Sequence, residues 1–212
     1  MDVIIAQIFS AVLLGHRNEV VIHVKTAFKQ GISASLIMNN GMIAAMREVG
    51  DRFEAGEYYV PEMLVAARAM QAGLDILRPF LADKEAHPAG VVAIGTVEGD
   101  MHDIGKNLVK MMLEGSGFEV IDLGVDVSPM MFVNAVCKHS VDILAISALI
   151  TTTMQNMPLV IHELEKSSLR KNVKVMIGGA PVTEEFALQI GADGYAPDAS
   201  RAATLAKSLM TR

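Results

Sequence analysis

The first 81 residues have the hydrophobic spacing of amphipathic helices. Apolar side chains recur every three or four positions, which places them on one face of a helix. No stretch in this part shows the two-residue alternation of a strand. The pattern predicts a bundle of four helices, over residues 3–14, residues 18–30, the segment with Met38, Met42 and Met46 on one face, and Val60 to Leu81.

After residue 90, short apolar runs alternate with amphipathic stretches. Near-continuous apolar strands predict a parallel sheet that helices cover on both faces, with right-handed crossovers. At this length the flavodoxin-like strand order 2-1-3-4-5 is favoured over a complete dinucleotide-binding fold. The predicted strands are 91–96, 118–124, 142–148, 173–179 and 193–196. The predicted helices are 104–116, 129–139, 153–168, 183–190 and 199–211.

The change of period falls at ADKEAHPAG, residues 82–90. This stretch is polar and contains Pro88 and Gly90, which is typical of a linker. The sequence thus predicts an α/β protein of two domains. A helical domain over residues 1–87 precedes a flavodoxin-like, Rossmann-like domain with a five-stranded parallel sheet over residues 88–212.

The amino-acid composition of the chain excludes several classes of function. The chain of 212 residues has a net charge of −6 and no cluster of lysine and arginine that could neutralise phosphates, so we expect no nucleic-acid partner. The most apolar stretch, Val3 to Gly15, is too short to cross a bilayer, and we expect no membrane association. The single cysteine, Cys137, excludes internal disulfides and cysteine-based metal sites and fits a cytoplasmic location.

Candidate chemistry falls where this fold places its ligands. Ligands bind at the carboxyl ends of strands 1 and 3, where the strand order reverses. The loops predicted there, residues 96–104 and 147–153, are the most polar loops of the chain. They carry Glu98, Asp100, His102, Asp103, Ser147, Thr151, Thr152 and Thr153.

His102 and Asp100 suggest a metal site of an unusual kind. A carboxylate two residues before a histidine can accept the second ring N–H and so fix the tautomer of a metal-bound imidazole. No second histidine and no CxxC lie nearby, so this chain alone offers too few ligands to hold a metal. A single protein ligand suits a metal that brings its own macrocycle.

Three motifs resemble those of cobalamin-binding domains. Residues 100–105, DMHDIG, match DxHxxG. After 41 intervening residues Ser147-Ala148-Leu149 matches SxL, and after 28 more intervening residues Gly178-Gly179 matches GG. VGDRFEAGEYYVPEMLVAARAM, residues 49–70, is similar to the VGxxF-xxGExxxPExxxAAxAM pattern of the family's helical cap. The resemblance covers nearly the whole chain. It is to small corrinoid proteins of methyltransferase systems, which are similar in architecture to the cobalamin-binding portion of methionine synthase.

The resemblance implies a role for each motif residue. His102 would be the lower axial ligand of cobalt, and Asp100 would hydrogen-bond that histidine and help it take up a proton. Thr153 stands where the family's ligand network often ends in a serine, and it keeps the hydroxyl while adding a methyl group. Gly105, Gly178 and Gly179 would leave a slot for the nucleotide tail. The implied cofactor contacts are Gly99, Met101, Asp103, Ile104, Gly105, Ser147, Leu149, Thr151, Gly178, Gly179, Tyr195 and Ala199, with Phe53, Val60 and Asn39 in the cap.

The implied function is to carry a methyl group on cobalt, with cobalamin alternating between the cob(I)alamin and methylcob(III)alamin states. A substrate-specific methyltransferase would load the carrier. A second methyltransferase, acting on a thiol or tetrahydrofolate-type acceptor, would unload it, and a reductive activating protein would keep it competent. The chain is too short for a barrel-type catalytic domain, so we interpret it as a subunit of an enzyme system.

Other functions remain open at this stage. A cobalamin-dependent sensor or regulatory binding module would need an output element, and residues 1–90 contain no basic recognition helix. The small subunit of a cobalamin mutase would not need the four-helix cap. A flavodoxin-like domain with another ligand is disfavoured by the joint spacing of the three motifs. Carriers for methanol, methylamines, betaines and methoxy-aromatics look alike, so donor choice belongs to the partner enzyme.

Overall fold

Helices make up the first part of the chain in the computed structural model, which describes residues 2–81 and 88–211. The carboxylate of Asp2 accepts the Ile4 N–H at the first helix, and the carboxylate of Glu62 accepts the Tyr59 N–H at the last. The elements are α1 (Val3–Leu13), α2 (Arg17–Lys29), α3 (Ala34–Leu36), a π-helical turn (Ile37–Ile43), α4 (Ala44–Glu54) and α5 (Val60–Leu81). The predicted helical bundle is confirmed.

The third predicted helix is not one regular helix, because the π-helical turn interrupts it. The wider turn changes the helical register, so the prediction of a single methionine stripe is wrong in part. Met42 and Met46 are buried, whereas Met38 is half-buried. Gly41 is buried in this turn, and a Cβ there would lie 3.0 Å from Cγ2 of Ile8 in α1. Glycine therefore permits the close packing of the two elements.

A five-stranded parallel sheet forms the second part of the chain. Its order is β2-β1-β3-β4-β5, which confirms the predicted flavodoxin-like topology. The strands are β1 (Val91–Thr96), β2 (Glu119–Asp122), β3 (Ile143–Ser147), β4 (Lys174–Gly178) and β5 (Gly194–Ala196). The helices are α6 (Ile104–Gly115), α7 (Pro129–His139), α8 (Thr151–Met154), α9 (Met157–Lys166), α10 (Glu184–Ile190) and α11 (Ala199–Met210).

Both faces of the sheet are buried, as alternate side chains of each strand point to opposite sides. One core contains side chains of α7 and α9 against the strands, among them Phe132, Val160, Leu164, Ala93, Leu144 and Val175. The other contains side chains of α6 and α11, among them Leu113, Ala206, Val92, Ile143 and Met176. This two-sided burial accounts for the continuous apolar runs in the strand sequences.

One predicted helix, residues 153–168, is wrong in detail. The structure has a short α8, which already begins at Thr151, and a separate α9 that begins at Met157. Pro158 lies in the first turn of α9, where a missing N–H is tolerated. In the interior of a continuous helix the same proline would remove a hydrogen bond and clash with the preceding turn, so the helix starts anew there.

The chain divides into two units, Met1–His87 with Gly115–Gly117, and Pro88–Glu114 with Phe118–Arg212. Of the predicted linker, residues 88–90 form no helix or strand, and residues 82–87 lie outside the described residues. Among the helices of the described ranges, none combines the length and the apolar character needed to span a membrane.

Phe132 tests the packing of α7 on the sheet, because its side chain is fully buried. We expect Phe132→Ala to lower the free energy of unfolding by about 3–5 kcal/mol, since it leaves a cavity in the core. The preceding residue, Met131, is half exposed, and Met131→Ala is expected to change stability by less than about 0.5 kcal/mol. Urea unfolding measures both, and equal losses in the two variants would contradict this placement of α7.

Candidate functional site

The loops that follow β1 and β3 meet at the carboxyl edge of the sheet. The two strands are paired neighbours with Thr96 opposite Ser147, and the Val97 N–H donates to the Ser147 carbonyl oxygen at 3.0 Å. This pairing brings residues 97–103, which we call the histidine loop, against the segment after β3. The polar residues predicted at the switch point of the sheet therefore converge.

The carboxylate of Asp100 is buried and accepts four hydrogen bonds. Its Oδ1 accepts the backbone N–H of His102 at 3.1 Å and Nδ1 of the same residue at 2.7 Å. Its Oδ2 accepts the Leu149 N–H at 2.8 Å and the Thr153 hydroxyl at 2.7 Å. Two donors come from the histidine loop and two from the segment after β3, so this carboxylate ties the loops together.

The pKa of Asp100 is held well below its ordinary value. Burial acts in the opposite direction, because it disfavours the charged carboxylate. The hydrogen bonds from the Thr153 hydroxyl, the Leu149 N–H and His102 outweigh that effect. Asp100 is therefore ionised at neutral pH and can only accept hydrogen bonds.

Thr153 has one hydroxyl proton and two acceptors within reach. The Asp100 carboxylate lies 2.7 Å from its Oγ1, and the Ile150 carbonyl oxygen lies 3.0 Å away. The charged acceptor is closer and forms the stronger bond. The hydroxyl therefore reaches Asp100 in spite of the additional methyl group.

The imidazole of His102 is exposed over about half of its surface, with 52% of the side chain accessible. Because ionised Asp100 can only accept, Nδ1 carries the proton of a neutral ring and Nε2 keeps its lone pair. Nε2 has no hydrogen-bond partner among the residues that the structure describes. This is the tautomer and the orientation of a histidine that coordinates a metal from the solvent side.

Exposed apolar side chains lie next to His102 in the sequence and in the neighbouring segment. Met101 and Ile104 flank it and are exposed by 68% and 82%, and Leu149 and Ile150 are exposed in the neighbouring segment. Exposed apolar groups at one place on a folded protein commonly mark a binding surface. Of the other predicted contacts nearby, Gly99, Asp103, Gly105 and Thr151 are exposed and Ser147 is half-buried.

The three glycines of the predicted slot differ in their surroundings. A Cβ at Gly105 would meet no atom within 4 Å, so the space beside the first turn of α6 is open. At Gly178 a Cβ would lie 2.8 Å from the carbonyl oxygen of Ala196, and at Gly179, with φ of 130°, it would lie 1.8 Å from that of Ala148. Neighbouring backbone therefore requires glycine at 178 and 179.

The remaining predicted contacts lie on separate elements. Tyr195 is half-buried in β5, and Ala199 is buried at the start of α11. In the helical unit, Asn39 is exposed in the π-helical turn, Phe53 is half-buried near the end of α4, and Val60 is exposed at the start of α5. Direct contact is seen for the predicted set around Asp100, namely His102, Leu149 and Thr153.

Three side chains that the sequence analysis did not single out hold the backbone of the histidine loop. The buried Thr96 hydroxyl donates to the His102 carbonyl oxygen at 2.9 Å. The Asp126 carboxylate accepts the Gly99 N–H at 2.7 Å, and the Asn156 amide donates to the Glu98 carbonyl oxygen at 2.8 Å. Thr96 ends β1, Asp126 follows β2 and Asn156 follows β3. Their position at the carboxyl edge of the sheet is the signal that could have identified them.

Lys106 was missed as well, although it directly follows Gly105 of the motif. Its side chain is buried, and Nζ donates to Oδ1 of Asp122 at 2.6 Å, while Lys110 donates to Oδ2 at 3.2 Å. Burial acts to raise the pKa of Asp122, but Lys106, the Gly124 N–H and Lys110 together lower it. These bonds tie the first two turns of α6 to the end of β2.

The donor set fits a metal that arrives with most of its ligands. Within the two described ranges, no group of three or more histidine, cysteine, aspartate or glutamate side chains could hold a metal ion. His102 offers one nitrogen, oriented by Asp100 and flanked by exposed apolar side chains. A metal bound within a large, partly apolar macrocycle needs one protein ligand of this kind.

Comparison with known families agrees with this chemistry. A family described as "B12 binding domain" matches residues 90–204. A second family with the same description matches residues 4–78. The two matches fall on the sheet-containing part and on the helical part, so both parts of the chain have counterparts in B12-binding proteins.

The chain is also similar to individual proteins. It is 42% identical to "Dimethylamine corrinoid protein 1" of Methanosarcina acetivorans, over 98% of this chain and 97% of that protein. A cobalamin-binding protein from Desulfitobacterium hafniense matches in structure with a TM-score of 0.81 and 29% identity, covering 97% of this chain and 98% of its own. The methanol:cobalamin methyltransferase complex of Methanosarcina barkeri contains a chain that matches with a TM-score of 0.88 and 28% identity, covering 99% and 80%.

Substitution of Thr153 tests the hydrogen bonds of the site. We expect Thr153→Val to raise the pKa of Asp100. The variant loses the hydroxyl donor that stabilises the charged carboxylate, while burial continues to disfavour that charge. A hydrogen bond to a charged acceptor contributes about 1.5–3 kcal/mol. Thr153→Ser keeps the donor and is expected to keep the pKa low. NMR titration of the Asp100 carboxyl carbon compares the three proteins.

The hydrogen bond from Thr153 to Asp100 also predicts a pH dependence of the free energy of unfolding. Since the pKa of Asp100 is lower in the folded chain than its ordinary 3.8, the ionised carboxylate stabilises the fold above that pH. This contribution is lost as the pH falls through the folded-state pKa. The stability difference between the native protein and Thr153→Val is therefore largest at neutral pH and shrinks in acid. A difference independent of pH would contradict the role of Thr153.

Proposed function

The chain belongs to the family of corrinoid proteins with B12-binding domains, and on this basis we propose that it carries a methyl group between two methyltransferases. A substrate-specific methyltransferase loads the carrier. A second methyltransferase, acting on a thiol or tetrahydrofolate-type acceptor, unloads it, and a reductive activating protein keeps the cobalt competent. The observation that carries this proposal is the exposed His102 imidazole held by a buried, ionised Asp100.

In this proposal the bound corrinoid supplies a cobalt centre that accepts and releases the methyl group. His102 would hold the corrinoid through Nε2, because Nδ1 is committed to Asp100. The apolar side chains of Met101 and Ile104 line the same surface, and the open space beside Gly105 leaves room for a ligand chain. Each of these roles rests on the residue's place in the loop at the carboxyl edge of the sheet.

Asp100 and Thr153 govern the proton of His102. Without a metal, Nδ1 of the ring donates to the Asp100 carboxylate at 2.7 Å. The low pKa of Asp100 keeps the proton on the imidazole and leaves the carboxylate as acceptor. When Nε2 is a ligand, the same carboxylate makes the ring a stronger donor to the metal. One carboxylate thus serves both states of the histidine.

The helical unit and partner enzymes have further roles in this proposal. We propose that Asn39, Phe53 and Val60 of the helical unit would contact the corrinoid. The similarity to a dimethylamine corrinoid protein, and to a chain in a methanol:cobalamin methyltransferase complex, supports a methyltransferase partner. One cysteine in 212 residues fits work in a reducing cytoplasm.

The ligand role of His102 can be read from absorption spectra. Protein reconstituted with hydroxocobalamin or methylcobalamin is expected to show the cofactor with its benzimidazole displaced and a histidine bound. We expect His102→Ala to lose the histidine-bound signature. His139→Ala removes an exposed histidine at the end of α7 and is expected to keep it. An unchanged spectrum in His102→Ala would rule out the assignment.

The carrier role is tested by methyl transfer to the reduced protein. Each assay contains one substrate methyltransferase, specific for monomethylamine, dimethylamine, trimethylamine or methanol. We expect methylation only with a matching partner, and we expect that partner to act on dimethylamine or trimethylamine, since corrinoid proteins named for these two amines share 42% and 44% identity with this chain. Turnover of free donor and acceptor by this chain alone would overturn the carrier role.

A further inference from the structure

Asp126, in the loop after β2, faces the backbone of the histidine loop with two hydrogen bonds. Its Oδ1 accepts the Gly99 N–H at 2.7 Å, and its own N–H donates to the Asp100 carbonyl oxygen at 3.0 Å. We propose that Asp126 is a positioning residue, which holds the peptide unit before Gly99 and the peptide unit after Asp100 so that the Asp100 carboxylate meets the His102 ring. This inference rests on the proposed ligand role of His102.

The backbone of Asp126 supports this role. Its φ is 54°, in the left-handed region that side chains other than glycine rarely adopt, although aspartate tolerates it better than most. Such a conformation persists when the surroundings compensate for it. Here it turns the N–H and the carboxylate of one residue toward the same loop, so a single residue holds the peptide units at both ends of the Gly99-Asp100 segment.

The backbone conformation of Gly99 favours this contact. Gly99 has φ of 80°, which a residue with a side chain would adopt only with strain, and this turn directs its N–H to Asp126. The adjoining backbone is fixed as well, since the Thr96 N–H donates to the Gly124 carbonyl and the Val127 N–H donates to the Thr96 carbonyl. Asp126 is thus anchored on β1 itself, the strand from which the histidine loop emerges.

The four bonds of the Asp100 carboxylate do not replace this clamp. They fix the side chain, whereas its main chain is held by a local bond to the Val97 carbonyl and by Asp126. Asn156 donates to the Glu98 carbonyl oxygen, which belongs to the same peptide unit as the Gly99 N–H, so Asn156 and Asp126 hold the two ends of that unit. Loss of the Asp126 carboxylate leaves the unit held at its carbonyl end alone, and we expect this to weaken the contact of Asp100 with Nδ1 of His102.

Three variants separate positioning from general stability. Asp126→Gly keeps the left-handed backbone and its N–H but removes the acceptor for Gly99, and Asp126→Asn keeps a neutral acceptor. Asp142 is a matched control at the opposite edge of the sheet. Its carboxylate accepts the Val91 N–H at 2.8 Å, and its own N–H donates to the Val91 carbonyl at 2.9 Å. Asp142→Ala removes an equivalent bond far from His102.

The first readout uses the protein without cofactor. Amide hydrogen exchange reports the Gly99 N–H, and long-range nitrogen–proton NMR reports which ring nitrogen of His102 carries the proton. We expect Asp126→Gly to speed exchange at Gly99 by about tenfold or more and to mix the two tautomers. Asp142→Ala is expected to lower stability while it leaves both signals unchanged. Native signals in Asp126→Gly would overturn the proposal.

Should Asp126→Gly fail to fold, Asp126→Asn decides the question. We expect a faster Gly99 exchange with the His102 tautomer retained, because a neutral acceptor forms a weaker bond in the same place. Native exchange at Gly99 in that variant would overturn the proposal.

The second readout uses cob(II)alamin-loaded protein and electron paramagnetic resonance, which detects the axial nitrogen. We expect Asp126→Gly to lower the histidine-bound fraction and Asp142→Ala to preserve it. If His102→Ala keeps the native signal, the ligand role has failed. The cofactor-free signals then still decide whether Asp126 positions Asp100.

Discussion

The site depends on one buried negative charge, the carboxylate of Asp100. An ionised carboxylate is costly to remove from water unless it is fully hydrogen-bonded, and four donors within 3.1 Å meet that condition here. Because two of these donors belong to the segment after β3, the charge is stable only where β1 and β3 are neighbours. Sheet order and histidine orientation are thus consequences of the same constraint.

Three adjacent strands share the support of the histidine loop. Thr96 ends β1, Asp126 follows β2, and Asn156 lies between α8 and α9 after β3. A parallel sheet gathers the carboxyl ends of its strands at one edge, so loops distant in sequence can brace one another there. The turn around Gly99 is in this way held by residues at the ends of paired strands.

Much of this could be predicted from the sequence, and the exceptions have physical causes. The strands and the contact of Asp100 with His102 follow from period and spacing, which are local signals, and the strand order follows from the length of this part and its alternation of strands and helices. The position of Asp126 after β2 could have indicated that it lies near the site, but its bond to Gly99 could not be predicted, since that bond needs the left-handed backbone of a residue 27 positions away. The break before α9 could have been predicted, because Pro158 excludes a continuous helix. The π-helical turn at Gly41 depends on packing against Ile8, which no local pattern contains.

The hydrogen bonds that hold the histidine loop span long stretches of the chain. The bonds to Asp126, Leu149, Thr153 and Asn156 join residues 27, 49, 53 and 58 positions apart. Contacts of such separation close only after the intervening chain has given up its freedom, so they form late in folding. The geometry in which His102 can act as a ligand therefore exists only in a chain whose three central strands are already paired. Only a folded chain is then able to bind the cofactor through this histidine.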